Sequence, residues 1–182
     1  MPLVPIFDLD GTLLDSDVAL VAPFLALGIP REDLIFGRVL EHECARLGIT
    51  VADYLDRYDV NLAQPFPGVA ELVSKLDRWA VCSNKEIASG RAELSRLGWE
   101  PDVALFADDF GGPKQLAPVL HALELRGTDV VFVGDTEHDR RCADVVGCRF
   151  ALAGWNRRAT ALDGDVVLAR PADVLDLLGG RS

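Results

Sequence analysis

The sequence predicts an α/β fold, a doubly wound parallel sheet of Rossmann type that carries a small inserted α-helical cap. Short apolar runs alternate with helical patterns through most of the 182 residues, the pattern that right-handed crossovers build into a sheet covered by helices on both faces. Polar clusters follow four of the runs, at Asp8, Ser83-Asn84, Asp108-Asp109 and Asp135, where ligands of such sheets bind. One stretch breaks the alternation and carries helical patterns alone. The expected division is a core of residues 1–16 and 66–182, with a cap of residues 17–65 over the end of the first strand.

The first strand is expected over Leu3 to Phe7. Regular pairing should start only at or after Pro5, because proline cannot donate to a central ladder. In the cap, helices are expected over Val18 to Leu27, Arg31 to Leu47 and Val51 to Leu62, punctuated by Gly28-Ile29-Pro30 and Gly48-Ile49-Thr50. No strand is expected between Asp15 and Pro67. Val69, Leu72, Val73 and Leu76 then share one face of a helix that follows Pro67-Gly68. Strand Trp79 to Cys82, helix Ile87 to Leu97 closed by Gly98, strand Val103 to Ala107 and helix Gln115 to Leu125 closed by Gly127 come next. The clearest strand is Asp129 to Gly134, followed by a helix from about His138 to Val146. Arg149 to Ala153 and Val166 to Leu168 are weaker strands, and Ala172 to Leu178 is a terminal helix.

A hydrophobic content of 49% and a charged content of 26% match a soluble globular protein. No run approaches the roughly 20 apolar residues that a bilayer requires, and MPLVPIFDLDGT has neither the basic segment nor the cleavage site of a secretory signal. Cys44, Cys82, Cys142 and Cys148 lack framework spacing and read as reduced thiols, which places the protein in the cytoplasm. The net charge of −11 argues against a nucleic-acid partner, whose phosphates require a concentrated positive field. A small phosphorylated substrate is compatible with it, provided that local cations cancel the field inside one pocket. No membrane partner is expected, and the chain is expected as a monomer or weak dimer.

The chemistry concentrates at the strand ends. Asp8 and Asp10 lie two residues apart, so an extended backbone points both carboxylates to one side. Gly11-Thr12 lets the chain turn tightly and bring backbone N–H groups near an anion. Two close carboxylates repel, and a divalent cation between them resolves the conflict; oxygen ligands alone favour Mg2+ over zinc. A capped turn without metal is the plain alternative. Asp135 and Asp139 repeat the arrangement at another strand end, although an acid such as Asp139 also stabilises a helix N-terminus by itself. Lys114 precedes a helix after Gly111-Gly112-Pro113, where a cation is disfavoured unless an anion is bound; alone it is a solvated side chain. Ser83-Asn84 supplies a hydroxyl, an amide and backbone donors, or simply a helix cap.

Taken together and in this order, these residues resemble the haloacid dehalogenase superfamily. FDLDGTLLDS is similar to its first motif, VCSN to its second, the lysine of GGPK to its third and GDTEHD to its fourth, over positions 8 to 139. The resemblance implies a phosphatase in which Asp8 is the nucleophile that forms an aspartyl-phosphate. Asp10 would protonate the leaving alkoxide and then activate water. The Asp10 carbonyl, with the Asp8 and Asp135 carboxylates, would hold Mg2+, and Asp139 would support the ion directly or through water. Ser83, the Asn84 backbone and Lys114 would bind the phosphoryl oxygens.

Such roles make electrostatic sense. An anionic nucleophile and a phosphate oxyanion at about 4 Å repel by roughly 4 kcal/mol per charge pair at an effective dielectric near 20. Mg2+ and Lys114 offset that cost. Dehalogenases of the superfamily lack an acid at the position of Asp10, so the resemblance implies phosphoryl chemistry. SNKEIASGRAELSRLGW is similar to the phosphoglycolate-phosphatase-like subgroup. The cap is shorter than that subgroup has, so the resemblance does not extend to phosphoglycolate as substrate. The alternatives are a phosphomutase of the same superfamily and a non-catalytic phosphate- or partner-binding module on this fold.

Other polar residues are read more plainly. His138 and Cys142 have no further ligands to complete a metal site. Arg38, Glu41 and His42 lie on the second cap helix and either touch the leaving group or form its solvated face, and Arg140-Arg141 is a solvent-facing pair. Lys85 either approaches the pocket mouth or lies in solvent. Asp108-Asp109 either orient Lys114 or are ordinary loop acids.

Overall fold

The computed structural model describes residues 3–35 and 38–179. Its sheet grows from two strands whose side chains are apolar on both faces, as a strand covered by helices on each side must be. These are β1 (Val4–Phe7) and β6 (Val130–Gly134). With β4 (Ala80–Cys82), β5 (Val103–Leu105), β7 (Arg149–Ala153) and β8 (Val167–Leu168) they form a six-stranded sheet in the order β5-β4-β1-β6-β7-β8. Every pairing in it is parallel. The predicted doubly wound fold is therefore what the chain adopts.

Side chains that alternate along the strands feed two separate cores. Phe7, Val81, Val131 and Val133 pack on one face with Leu72 of α4 (Val69–Val73), Leu94 of α5 (Ile87–Leu97) and Val174 of α9 (Asp173–Leu178). Ile6, Ala80, Val130 and Phe132 pack on the other with Leu120 of α7 (Leu116–Leu123) and Ala143 of α8 (Glu137–Val146). Phe132 has no exposed surface, and its truncation to alanine removes about 3–5 kcal/mol at such a site.

Pairing begins one residue earlier than expected at the first strand. Asp8 N–H donates to the Val133 carbonyl at 3.0 Å, so Ile6 and Val4 also face β6, and that ladder includes Val4 and Pro5. The missing donor of Pro5 falls on the opposite side, where β4 starts only opposite Ile6.

Between β2 (Leu14–Asp15) and β3 (Gln64–Pro65) lie α1 (Asp17–Ala26), α2 (Leu40–Leu47) and α3 (Val51–Leu55), which gather around Phe24, Cys44 and Tyr54. A strand does occur before Pro67, contrary to expectation: β3 pairs antiparallel with β2, Leu14 opposite Pro65 and Asp15 opposite Gln64. The two connections to the helical segment run side by side and satisfy each other's backbone. The long helix expected over residues 31–47 is instead a 3-10 turn at Arg31–Asp33 and α2, with Phe36 and Gly37 outside the described residues. The Glu43 carboxylate accepts the Ile35 N–H at 2.8 Å and Arg46 reaches the Asp33 carbonyl, so side chains replace the helical bonds there. Arg38 thus precedes α2 rather than lying on it, while Glu41 and His42 are exposed on the helix as expected.

The pattern over residues 51–62 likewise breaks after Leu55, because Asp59 caps a separate 3-10 turn, Val60–Leu62. The strand expected to reach Ala107 stops at Leu105, where the Asp109 carboxylate takes the Phe106 N–H and opens α6 (Ala107–Phe110). Helix α7 closes on Glu124 in the left-handed region at φ 56°, not on Gly127. Gly127 instead sits where a Cβ would meet the Val146 carbonyl at 2.1 Å.

Candidate active site at the carboxyl ends of the strands

The parallel sheet delivers its polar residues to one edge. Asp8 follows β1, Ser83-Asn84 follow β4 and Asp135 follows β6, while Asp139 lies in the first turn of α8. Single ligand oxygens of Asp8, Asp135 and Asp139 lie within 4.8 Å of one another. Lys114 inserts its ammonium beside them, 2.8 Å from Asp8 Oδ2 and 2.6 Å from Asp139 Oδ1. Its side chain is only 3% exposed. Lys114 is therefore no solvated lysine: the anions at the start of the helix are two of the protein's own carboxylates. Its position is fixed from the backbone, since Lys114 N–H donates to Asn84 Oδ1 at 2.6 Å.

Local geometry explains why these residue types stand here. Gly11 has φ 79°, and a Cβ on it would lie 2.4 Å from Asp135 Oδ2, so only glycine admits the Asp135 carboxylate. Asp135 is held by Asn156 Nδ2 at 3.0 Å and by the Thr12 hydroxyl at 3.3 Å. Thr136 caps α8 by accepting from the Asp139 N–H, while Asp139 Oδ2 accepts from the N–H groups of Asp135 and Thr136 and from the Thr136 hydroxyl. That reciprocal cap turns the Asp139 Oδ1 atom toward the cluster.

Crowding leaves an electrostatic signature. Burial, followed by the Asp139 and Asp10 charges, pushes the Asp8 carboxyl up to about 6 against the pull of Lys114. Burial, then Asp8 and Asp139, pushes Asp135 up to about 7. Burial also opposes the charge on Asp139, but Lys114 and the hydrogen bonds from Thr136 outweigh it and hold this carboxyl below its ordinary value. Burial works against the Lys114 ammonium too, yet Asp139 and Asp8 hold its pKa above that of an ordinary lysine. One ammonium thus faces three carboxylates, and a hard divalent cation fits that all-oxygen donor set.

Asp10 departs from the expected arrangement. Its carboxylate does not share the Asp8 cluster; Lys85 Nζ holds its Oδ1 at 2.9 Å. The repulsion between neighbouring acids is thus relieved by two lysines, one for each aspartate. Lys85 is buried and also pairs with Glu93 at 3.1 Å. Glu93 in turn accepts a hydrogen bond from the Tyr58 hydroxyl, which comes from the helical segment. Sequence reasoning left Lys85 open and missed Glu93, Tyr58 and Asn156. The available signal was an acid on the apolar stripe of α5, between Gly90 and Leu94. For Asn156 it was a polar residue just beyond a fifth buried strand end.

Remaining residues resolve as follows. Ser83 Oγ accepts from the Lys85 N–H at 3.3 Å and stays at the pocket edge. Asp108 and Asp109 do not touch Lys114; they accept the N–H groups of Ile87 and Phe106. Arg140 is not solvent-facing, because Asp165 binds it at 2.8 Å and the Phe150 ring lies 5.1 Å away; Arg141 is exposed and pairs with Glu137. A cavity of about 600 Å³ opens above the cluster, floored by Asp8, Ser83, Lys114 and Asp135 and walled by α1 and the segment before α2.

Comparison with known proteins agrees with this geometry. The family model for haloacid dehalogenase-like hydrolases matches residues 5–153. The chain is 29% identical over 205 residues to a phosphoglycolate phosphatase of Xanthomonas campestris, covering 96% of this chain and 91% of that protein. It is 32% identical over 215 residues to a phosphoglycolate phosphatase of Pectobacterium atrosepticum, covering 97% and 92%. Among solved structures, a HAD-superfamily hydrolase of Geobacter sulfurreducens superposes with a TM-score of 0.79 at 21% identity, over 98% of this chain and all of that one; this likeness concerns the fold. Because the matched residues run from β1 through β7 and enclose all four strand-end clusters, the chain belongs to the haloacid dehalogenase-like hydrolases, in their phosphoglycolate-phosphatase-like subgroup.

Proposed function

We propose that the protein is a Mg2+-dependent phosphomonoesterase that hydrolyses a small phosphorylated metabolite through an aspartyl-phosphate on Asp8. The chain is a hydrolase of phosphate esters, as its relatives are. The observation that carries the finer reading is the convergence of Asp8, Asp135 and Asp139 around the single ammonium of Lys114.

In this reading Asp8, Asp135 and Asp139, with the Asp10 carbonyl, would hold Mg2+, which supplies positive charge against the phosphoryl oxygens. An Asp8 carboxylate oxygen forms a bond to phosphorus as the ester P–O bond breaks. Asp10 gives its proton to the departing alkoxide. Water then attacks the acyl phosphate, Asp10 takes up its proton, and phosphate leaves with Asp8 restored as a carboxylate. Lys114, Ser83 and the Asn84 backbone bind the phosphoryl oxygens during both steps. Lys114 already lies within reach of Asp8, so it meets developing negative charge without travelling. Lys85 holds Asp10 beside the nucleophile, and the cap residues shield both steps from bulk water.

The test is a screen of phosphorylated metabolites with and without Mg2+, read as released phosphate, with Asp8→Asn as the blank. Turnover that requires Mg2+ and vanishes in Asp8→Asn supports the mechanism. Full activity in that variant eliminates it.

A further inference from the structure

We propose that the leaving group this site accepts is a neutral, largely apolar alcohol, not one that carries a second acid; this rests on the phosphatase reading above and narrows its substrate class. The cavity of about 600 Å³ is far larger than a phosphoryl group requires and falls in the range of sites that enclose whole small molecules. Its phosphoryl end is polar. The wall opposite is aliphatic and aromatic: Leu20 and Phe24 from α1, Leu34 and Ile35 after the 3-10 turn, and Leu40 of α2.

That wall is built rather than incidental. Ile35 is 44% exposed and lines the cavity. Its backbone is fixed by Glu43, a buried carboxylate that accepts its N–H at 2.8 Å while pairing with Arg46. A buried carboxylate thus fixes the backbone that presents Ile35 to the cavity.

The cations at the mouth point the same way. Among the described residues four arginines line it, and three of them pair with acids of this chain. Arg31 pairs with Asp17 at 3.3 Å, Arg158 also reaches Asp17 and Arg141 pairs with Glu137, while Arg38 is exposed to solvent. To reach Arg31, Arg141 or Arg158, a carboxylate on the leaving group would have to displace an acid of this chain, whose net charge is −11. A neutral hydrocarbon meets no such cost and gains from leaving water, about fourfold in binding per methylene.

The test compares kcat/KM for methyl, propyl and pentyl phosphate and for phosphoglycolate, all with Mg2+. Propyl phosphate and phosphoglycolate are nearly the same size, and glycolate is the less basic leaving group, so chemistry alone favours phosphoglycolate. We expect kcat/KM to rise about fourfold per methylene, propyl phosphate to exceed phosphoglycolate on the order of tenfold or more, and Ile35→Asn to flatten the series. A flat series in the unaltered enzyme, or phosphoglycolate matching propyl phosphate, overturns the proposal. If no ester is turned over, the phosphatase reading fails instead, and calorimetry of propyl- and pentylphosphonate against phosphonoacetate with the Mg2+-loaded protein decides the pocket's preference. Tighter binding of the longer alkyl chain with a negative heat-capacity change supports it. Equal or tighter binding of phosphonoacetate overturns it.

Discussion

The acidic cluster should make the metal-free protein lose stability as pH rises, and Mg2+ should return what is lost. Asp135 is raised from 3.8 to about 7 and Asp8 from 3.8 to about 6, burial being the first cause in both. Well below pH 3.8 both carboxyls are protonated in the folded and unfolded states alike. Between about pH 4 and pH 7 the folded protein keeps protons that the unfolded chain has released, so stability declines as pH rises through that window. The two displacements correspond to about 4 and about 3 kcal/mol, and because the groups interact we expect a combined loss of about 4–6 kcal/mol by pH 8. Asp139, lowered, acts in the opposite sense but only at lower pH. Glu93, raised to about 7, adds to the slope and His138, lowered, subtracts from it. Neither of these belongs to the three-carboxylate cluster, so the part of the slope that responds to Mg2+ isolates the aspartates. Urea unfolding followed by tryptophan fluorescence at pH 5 and pH 8, with chelator or with Mg2+, measures it. At a hundredfold excess over its dissociation constant Mg2+ adds about 2.7 kcal/mol, and its effect should be larger at pH 8. Equal metal-free stability at the two pH values, or a Mg2+ effect independent of pH, would refute the reasoning; Asp135→Asn should flatten the slope.

Gly11→Ala forces a left-handed residue and drives a methyl into Asp135, so Mg2+ affinity should fall about 10- to 100-fold, measured by calorimetry. Lys114→Met should lower kcat on the order of 10²–10³-fold, and Mg2+ should stabilise this variant more than the unaltered protein, because Asp8 and Asp139 lose their only ammonium among the described residues. Lys85→Met leaves Glu93 buried without its cation and should cost about 3–5 kcal/mol in urea unfolding. Tyr58→Phe removes one hydrogen bond to the same carboxylate, with an expected loss of about 1–2 kcal/mol.

The core was legible because burial on both faces enforces a simple rule. Apolar runs such as Val130 to Val133 can only be strands flanked by helices, and the acids at their ends can only project from one edge. The helical segment was less legible, since polar side chains there replace backbone hydrogen bonds, as Glu43 does for Ile35 and Asp59 for Asn61, and periodicity does not register such exchanges. The candidate site was readable as a set of strand ends but not as a network. Asp8 and Asp139 read as acids and Lys114 as a cation, while the assignment of one lysine to Asp8 and the other to Asp10 depends on contacts across 106 and 75 residues. Lys85 lies in the bend after β4, Glu93 on α5 and Tyr58 in the connection after α3, so nothing in their spacing announces that they meet.

The short ladder between β2 and β3 brings the start and finish of the helical segment together, Asp15 opposite Gln64. A two-residue turn could bridge that gap, so excision of everything between is a geometrically modest edit. The trimmed molecule would retain Asp8, Asp135 and Asp139 yet forfeit Leu20, Leu34 and Ile35, the apolar wall of the cavity. On the proposed phosphatase reading, such a molecule should lose its preference among leaving groups and admit esters too bulky for the intact chamber.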